Sequence, residues 1–133
     1  MARIVIDESR WPIVLTALPA EFSDADWQSF FERSHALFER HTPFAFINET
    51  RGGQTPNAEQ RGLFSTSFRT NRALIARYLV ANAMIVNSLI LRAAVSAMLW
   101  VQAPPFPIRV FHNEVGAEIW VKALLSNRVR VAV

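Results

Sequence analysis

The chain has 133 residues, which fits one domain because domains most often have about 100–150 residues. Hydrophobic residues make up 51% of the chain and exclude an intrinsically disordered protein, because disordered chains lack the apolar surface that offsets the entropy of ordering. The absence of cysteine excludes disulfides and thiolate metal sites. The net charge of +3 is small and its arginines are scattered, so we expect no specific nucleic-acid binding.

Two segments bear on cellular location. Residues 1–11 contain no apolar segment of the kind that secretory signals need. Residues 80–101 are long enough to span a bilayer, but Arg92 near their centre costs about 2.5–3.5 kcal/mol on insertion. We therefore divide this run at Asn87 and Ser88 into a buried strand and a helix, and we expect a cytoplasmic protein.

The first third of the chain predicts two strands and a helix. Short apolar runs at residues 3–6 and 12–18 predict strands, and the first of them is the natural antiparallel edge of a sheet. Ser23 and Asp26 have the spacing of a helix capping box. The apolar residues that follow recur at helical spacing, which predicts a helix to about residue 41.

The middle of the chain predicts a strand, a loop and a helix. Residues 43–48 are a short apolar run typical of buried parallel strands. Residues 50–56 contain Gly and Pro and predict a loop. Asn57 and Gln60 again have capping-box spacing, and they predict a helix that continues to about Tyr78.

The last third predicts two more strands, each followed by a helix. Residues 83–86 predict a buried strand, and Ser88 caps a predicted helix over residues 88–102. Residues 108–111 predict the last strand, and Asn113 caps the final helix. On that helix we expect Trp120 to be buried with Ala117, Val121, Leu124 and Leu125.

This order of elements predicts one α/β domain over residues 1–133. Strands that alternate with helices favour a single mixed, mainly parallel five-stranded sheet with about four helices packed on its faces. The alternating apolar residues at positions 129–133 suggest a short extra strand at a sheet edge.

Three segments resemble the SpoIIAA-like proteins of the STAS/CRAL-TRIO-like group. They are residues 43–49 continuing into Arg51-Gly52-Gly53, the Arg-bearing helix after residues 59–61, and residues 107–111 followed by Glu114, Ala117 and Trp120. The resemblance implies a non-enzymatic STAS domain, cytosolic or peripheral to membranes. Some members of the group are associated with partner-protein switching and others with apolar ligands.

This chain departs from the phosphorylatable members of the group in one respect. Those members carry a Ser at the start of the helix after the third strand, whereas this chain has none there. The nearest hydroxyl is Thr55, which lies in a Thr-Pro loop outside the family context. We therefore do not predict a phosphoswitch.

No catalytic constellation is present in the sequence. The chain lacks Cys and a G-x-S-x-G elbow, and its only imidazole bases are His35, His41 and His112. No two of these histidines have the i, i+4 spacing of a metal site. We assign them structural roles and expect neither an enzyme nor a cofactor.

Two patterns indicate binding of anionic groups. Glu49, Arg51, Gly52, Gly53 and Thr55 lie where a buried strand opens into a helix, a place where backbone N–H groups and a helix dipole can meet a ligand. The loop lacks a Walker or Rossmann motif, so a plain turn remains the alternative.

The second pattern is a ridge of Arg61, Arg69 and Arg72, which share one sector of the predicted helix over residues 57–78. It would meet an acidic partner surface or anionic lipid headgroups, and a solvated helix face is the alternative.

A third pattern indicates an apolar ligand. The predicted helix over residues 88–102 carries Trp100 and is followed by residues 104–107, which are rich in Pro and could gate a pocket. The alternative is that this helix fills the core.

Our leading interpretation is a STAS-like protein-interaction and regulatory module without turnover. The alternative is a binding protein or sensor for an apolar ligand or lipid with peripheral membrane association. We expect a protein partner or an apolar ligand, and the sequence leaves a homodimer open.

Overall fold

A computed structural model of the chain describes residues 4–18, 23–50, 59, 62, 66, 67, 69–86, 88–90, 92, 93, 96, 97 and 106–132. The elements delimited among these residues are β1 (Val5–Asp7), β2 (Ile13–Leu18), α1 (Asp24–Phe38), β3 (Phe44–Thr50), α2 (Arg72–Tyr78), β4 (Leu79–Val86), β5 (Ile108–Phe111) and α3 (Glu114–Ala132). The predicted α/β class is confirmed. Three helices are delimited where about four were expected, and the described residues between 89 and 97 are also helical.

The strands form one sheet in the order β1-β2-β3-β4-β5. β1 runs antiparallel to β2, as expected for the edge strand, and every other neighbouring pair is parallel. The carboxyl ends of β2 to β5 therefore lie at one edge of the sheet, which we call the carboxyl edge. The first residue of β1 lies at the same edge, because Val5 pairs with Ala17 near the end of β2.

The capping box that begins α1 is formed as predicted. The backbone N–H of Ser23 donates to Asp26 Oδ2 at 2.8 Å, and the N–H of Asp26 donates to Ser23 Oγ at 3.1 Å. The helix ends at Phe38 rather than near residue 41. Three residues after the end of the helix, His41 has a φ of 53°, a left-handed conformation that does not continue a helix.

Apolar side chains alternate between the two faces of the sheet and form two cores. Along β3, Phe44 and Phe46 face α1 and α2, whereas Ala45 and Ile47 face α3. The core on the α1–α2 face contains Val14, Leu37, Phe38, Phe44, Phe46, Ile75, Tyr78, Leu79 and Phe106. The core on the α3 face contains Ala45, Ile47, Val80, Ala81, Ala83, Ile85, Ala117, Val121 and Leu125.

β4 begins at Leu79, directly after α2, whereas the sequence predicted a strand only from residue 83. Phe44 pairs with Leu79 and Ala45 pairs with Ala81, so Val80 is an extra residue in the ladder. The early start was missed because no Gly, Pro or polar turn separates the helix from the strand, and an apolar run alone does not distinguish them.

The end of the chain corrects two expectations. The predicted edge strand at residues 129–133 is wrong, because α3 continues to Ala132. A run of only five residues with alternating apolar character is too short to distinguish a strand from the end of a helix. Asn113 does cap α3, since Gly116 N–H donates to Asn113 Oδ1 at 3.1 Å. Trp120 is only half-buried, because Ala117, Val121 and Leu125 occupy the centre of the inward stripe and Trp120 lies at its edge.

Candidate functional site

α3 covers only part of its face of the sheet. It packs mainly on β4 and β3. Neighbouring strands are about 4.8 Å apart and a helix with its side chains is about 10–12 Å wide, so one helix covers two or three strands of five. Among the described residues no other helix packs on this face. The outer strands β1 and β2 therefore lie beside α3 rather than beneath it.

Two rows of side chains cross this open part of the face in register. Asp7, Leu15 and Ile47 form one row from β1 to β3. The next row, nearer the carboxyl edge, runs through Val5, Ala17, Glu49 and Ile85.

Between these rows and the start of α3 lies a trough of about 170 Å³. Its floor is apolar and carboxylates stand around it. The lining residues are Val5, Asp7, Leu15, Thr16, Ala17, Ile47, Glu49, Ile85 and Glu114. A cavity of about 150 Å³ is enough to hold benzene, so this trough fits one aromatic ring or one aliphatic side chain.

Asp7 remains ionised at neutral pH. The backbone N–H of Ser9 donates to Asp7 Oδ1 at 2.9 Å. Hydrogen bonds from the backbone and side chain of Ser9 lower the pKa of Asp7 below its usual value, with a smaller contribution in the same direction from the charge of Arg10. The β1 side of the trough therefore carries a fixed negative charge.

The α3 side of the trough is also acidic. Glu114 lines it, and Glu118 lies one helical turn further along. Arg10 reaches across from the turn between β1 and β2, and its Nη1 lies 2.7 Å from Glu118 Oε1 and 3.8 Å from Glu114 Oε1. The side chains of Arg10 and Glu114 are both more than half exposed, so these are surface ion pairs that solvent screens.

The structure places the predicted binding residues in separate regions. Glu49 lies on β3 and lines the trough. Arg72 is the first residue of α2, on the opposite side of the sheet, and both Arg69 and Arg72 are helical and exposed. They therefore do not form one site with Glu49. The turn residue Asn71 separates them, so they do not lie on the one continuous helix over residues 57–78 that the sequence predicted. Arg51, Gly52, Gly53, Thr55, Arg61 and Trp100 lie outside the described residues.

The sequence did not single out Val5, Asp7, Leu15 or Ala17, which line the trough. The alternation of side chains along a strand shows which residues share a face of the sheet. It does not show which part of that face is covered by a helix. One usable signal was the position of Glu49 and Glu114, which both lie close to the carboxyl ends of strands. That edge is where open α/β sheets bind ligands.

The histidines have local polar neighbours. His35 Nδ1 lies 3.1 Å from Asn71 Oδ1, His41 Nδ1 lies 3.0 Å from the Tyr78 hydroxyl, and His112 Nε2 lies 3.1 Å from Asn113 Nδ2. Within the described residues, no three His, Asp or Glu side chains are grouped so that they could hold a metal ion. None of the helices searched in that part of the chain has both the length and the hydropathy of a membrane span.

No family model, curated protein or solved structure matches this chain. The likeness to SpoIIAA-like proteins therefore stays a prediction from the sequence. The trough has to be interpreted from its own chemistry.

Proposed function

We propose that this chain is a non-enzymatic, STAS-like interaction module that binds a protein partner through the trough. The observation that supports this proposal is the apolar floor beside α3, which no other described helix covers. Parallel sheets are normally covered on both faces, yet Val5 is 53% exposed and Leu15 and Ala17 are only partly buried. A partner that covers this floor would gain about 25 cal/mol for each Å² of apolar surface removed from water.

The lining favours binding over catalysis. Among the described lining residues the one hydroxyl belongs to Thr16, which donates a hydrogen bond to Asn48 on the other face of the sheet. None of the described lining residues carries an imidazole, a thiol or an amine. A hydroxyl, thiol or amine nucleophile activated by an imidazole is therefore not available among the described lining residues, and we propose that the lining carboxylates serve binding. The chain also lacks cysteine, which fits the cytoplasmic location that we include in the proposal.

A second candidate function is binding of an apolar ligand at a membrane surface. Leu89 and Ile90 follow β4 at the carboxyl edge, and they are 74% and 84% exposed. Val5 is exposed at the same edge. Such residues can enter the apolar part of a bilayer, and the trough is large enough for part of an apolar ligand. Native mass spectrometry would support this candidate if a lipid or another apolar molecule copurified with the chain.

Site-specific photo-cross-linking tests the leading proposal. Benzoylphenylalanine is placed at Val5, on the rim of the trough, and in a matched chain at Arg109, which is exposed on the far edge strand β5. We expect a discrete protein adduct from position 5 and none from position 109 after irradiation in cells. An adduct with the mass of two chains would identify the partner as a second copy. Equal labelling from both positions, or none from position 5, would contradict the proposal.

A further inference from the structure

We infer that the outer side of α3 binds a second copy of this chain, with the two α3 helices packed antiparallel across a two-fold axis at Ile119. The apolar residues of this surface are not among the described residues that line the trough. The inference therefore goes beyond the function proposed above and does not depend on it.

α3 is apolar on two sides. Its inward side is buried against the sheet. On its outer side, Val115 and Ile119 are 67% and 66% exposed, and the exposed residue Ala123 follows at the same spacing of four residues. Residues four positions apart are neighbours on a helix surface, so these three residues form one apolar stripe. A helix that faces water is normally polar on its outer side, and the stripe therefore indicates a contact surface.

The shape of the stripe is complementary to itself when two copies run antiparallel. With the two-fold axis at Ile119, the two Ile119 side chains meet, and Val115 of each copy lies opposite Ala123 of the other. A large side chain opposite a small one keeps the two helices at one separation, about 8–10 Å for packed helices. A parallel pair would place Val115 on Val115 and Ala123 on Ala123, which would force the helices apart at one end and leave a gap at the other.

The charged residues beside the stripe favour the same arrangement. Glu114, Glu118 and Lys122 follow one another at four-residue spacing along one flank of the stripe. In an antiparallel pair this flank meets the same flank of the other copy. Lys122 of one copy is then level with a point midway between Glu114 and Glu118 of the other, about 3 Å along the axis from each. Unlike charges therefore lie opposite each other, which fixes register and specificity more than affinity.

The ion pairs within the chain are compatible with this contact. Arg10 approaches Oε1 of both Glu114 and Glu118, and each carboxylate has a second oxygen that can accept a hydrogen bond from Lys122 of the other copy. Lys122 is exposed and makes no ion pair with any residue that the structure describes. The dimer therefore adds a partner for Lys122 and breaks no ion pair of the single chain.

The contact is small. Centred on Ile119, the overlap covers residues 114–124 of both helices, about three turns and 16 Å of helix. Stable complexes bury about 800 Å² on each partner, more than three helical turns provide. We therefore expect an equilibrium between monomer and dimer, with a dissociation constant between about 10 μM and 1 mM.

Sedimentation equilibrium of the whole chain over this range of concentration tests the dimer. Ile119→Lys places two cations against each other on the two-fold axis and should weaken self-association at least about tenfold. Ile90→Lys makes the same change at a residue that is 84% exposed at the carboxyl edge, and this control should dimerise as the unmodified chain does. Circular dichroism checks that both variants fold. A chain that stays monomeric up to about 1 mM, or a folded Ile119→Lys chain that dimerises like the unmodified one, would overturn the inference.

Single cysteines test the antiparallel register, because the unmodified chain contains no cysteine. Position 119 faces itself in the proposed pair, so Ile119→Cys should form a disulfide-linked dimer on mild oxidation. The two copies of position 115 are about 12 Å apart along the axis, beyond the Cα separation of about 7 Å that a disulfide spans. Val115→Cys should therefore stay monomeric, as should Ala36→Cys on the exposed face of α1. Equal cross-linking of positions 115 and 119 would contradict the antiparallel pair.

A charge exchange tests the flank. Lys122→Glu places a carboxylate opposite Glu114 and Glu118 of the other copy and should weaken the dimer several-fold. Adding Glu118→Lys to that variant should restore the dimer, because lysine and glutamate then only exchange places across the pair. A double variant that dimerises no better than Lys122→Glu would show that this flank is not part of the interface, which would overturn the proposed register.

Discussion

The hydroxyl of Thr16 on β2 donates a hydrogen bond to the side-chain oxygen of Asn48, its register partner on β3. Asn48 in turn donates its amide to the side-chain oxygen of Asn82 on β4. Thr16 and Asn48 are both buried. Buried polar groups are costly when unpaired, so this ladder favours one register of three parallel strands over any shifted one.

Replacing Thr16 with Val tests the ladder. The variant keeps the shape of the side chain but removes the donor, which leaves a buried oxygen of Asn48 without that bond. We expect the free energy of unfolding to fall by about 1–3 kcal/mol. Urea denaturation measures it, with Thr42→Val as the control, because the exposed hydroxyl of Thr42 donates only to Arg40 O. Equal losses in the two variants would show that the ladder contributes nothing.

Replacing Ser23 with Ala tests the start of α1. The change removes one of the two reciprocal capping hydrogen bonds, so the expected loss of stability is about 0.5–2 kcal/mol. Ser29→Ala, at an exposed position inside the same helix, is the control and should be neutral or slightly stabilising because Ala favours helix interiors. The prediction would be wrong if the two serines behaved alike in thermal unfolding.

The two tryptophans Trp27 and Trp120 should differ in their contribution to stability. Trp27 is 2% exposed and stacks on Phe31 at 5.7 Å, so Trp27→Ala should cost about 3–5 kcal/mol. Trp120 is half-buried against Phe111, with ring centres 5.7 Å apart. Trp120→Ala should therefore lower the free energy of unfolding by clearly less than Trp27→Ala does. Chemical denaturation measures both losses, and a larger loss for Trp120→Ala would contradict the burial of these rings.

The stability of the folded chain should depend on whether the carboxyl of Asp7 is ionised. Hydrogen bonds from Ser9 lower its pKa in the folded state below the usual 3.8, so the folded state favours the ionised carboxylate. That stability is present above pH 3.8 and is lost as the pH falls through the lower pKa of the folded state. NMR titration of the Asp7 carboxyl should show the low pKa, and Ser9→Pro, which removes both donors, should raise it. An unchanged pKa in that variant would contradict the assigned cause.

Local sequence signals predicted much of the fold. The capping residues Ser23 and Asn113 located the starts of α1 and α3, and the apolar run at residues 108–111 located β5. These elements depend on interactions between residues that are close in sequence, so local sequence patterns are enough to predict them. The start of β4 at Leu79 was missed because it depends on pairing with β3, which is distant in sequence.

The trough was harder to predict for a related reason. Glu49 was singled out from its place after an apolar run, but its grouping with Asp7 and Glu114 depends on strand register and on where α3 packs. Residues from β1, β2, β3, β4 and α3 come together only in the folded chain. The half-burial of Trp120 has the same origin, since the helix can rotate about its axis without any change in its periodicity.

The most direct test of the central claim is to fill the trough. Ala17 lies in its floor, and Ala17→Trp would place a large ring there, whereas Ala36→Trp adds the same ring to the exposed face of α1. The partner recovered by cross-linking from position 5 is titrated calorimetrically against the unmodified chain and both variants, with circular dichroism as the check on folding. We predict that Ala17→Trp remains folded and loses the partner, while Ala36→Trp binds it as the unmodified chain does. Full affinity in a folded Ala17→Trp chain would show that the partner binds elsewhere.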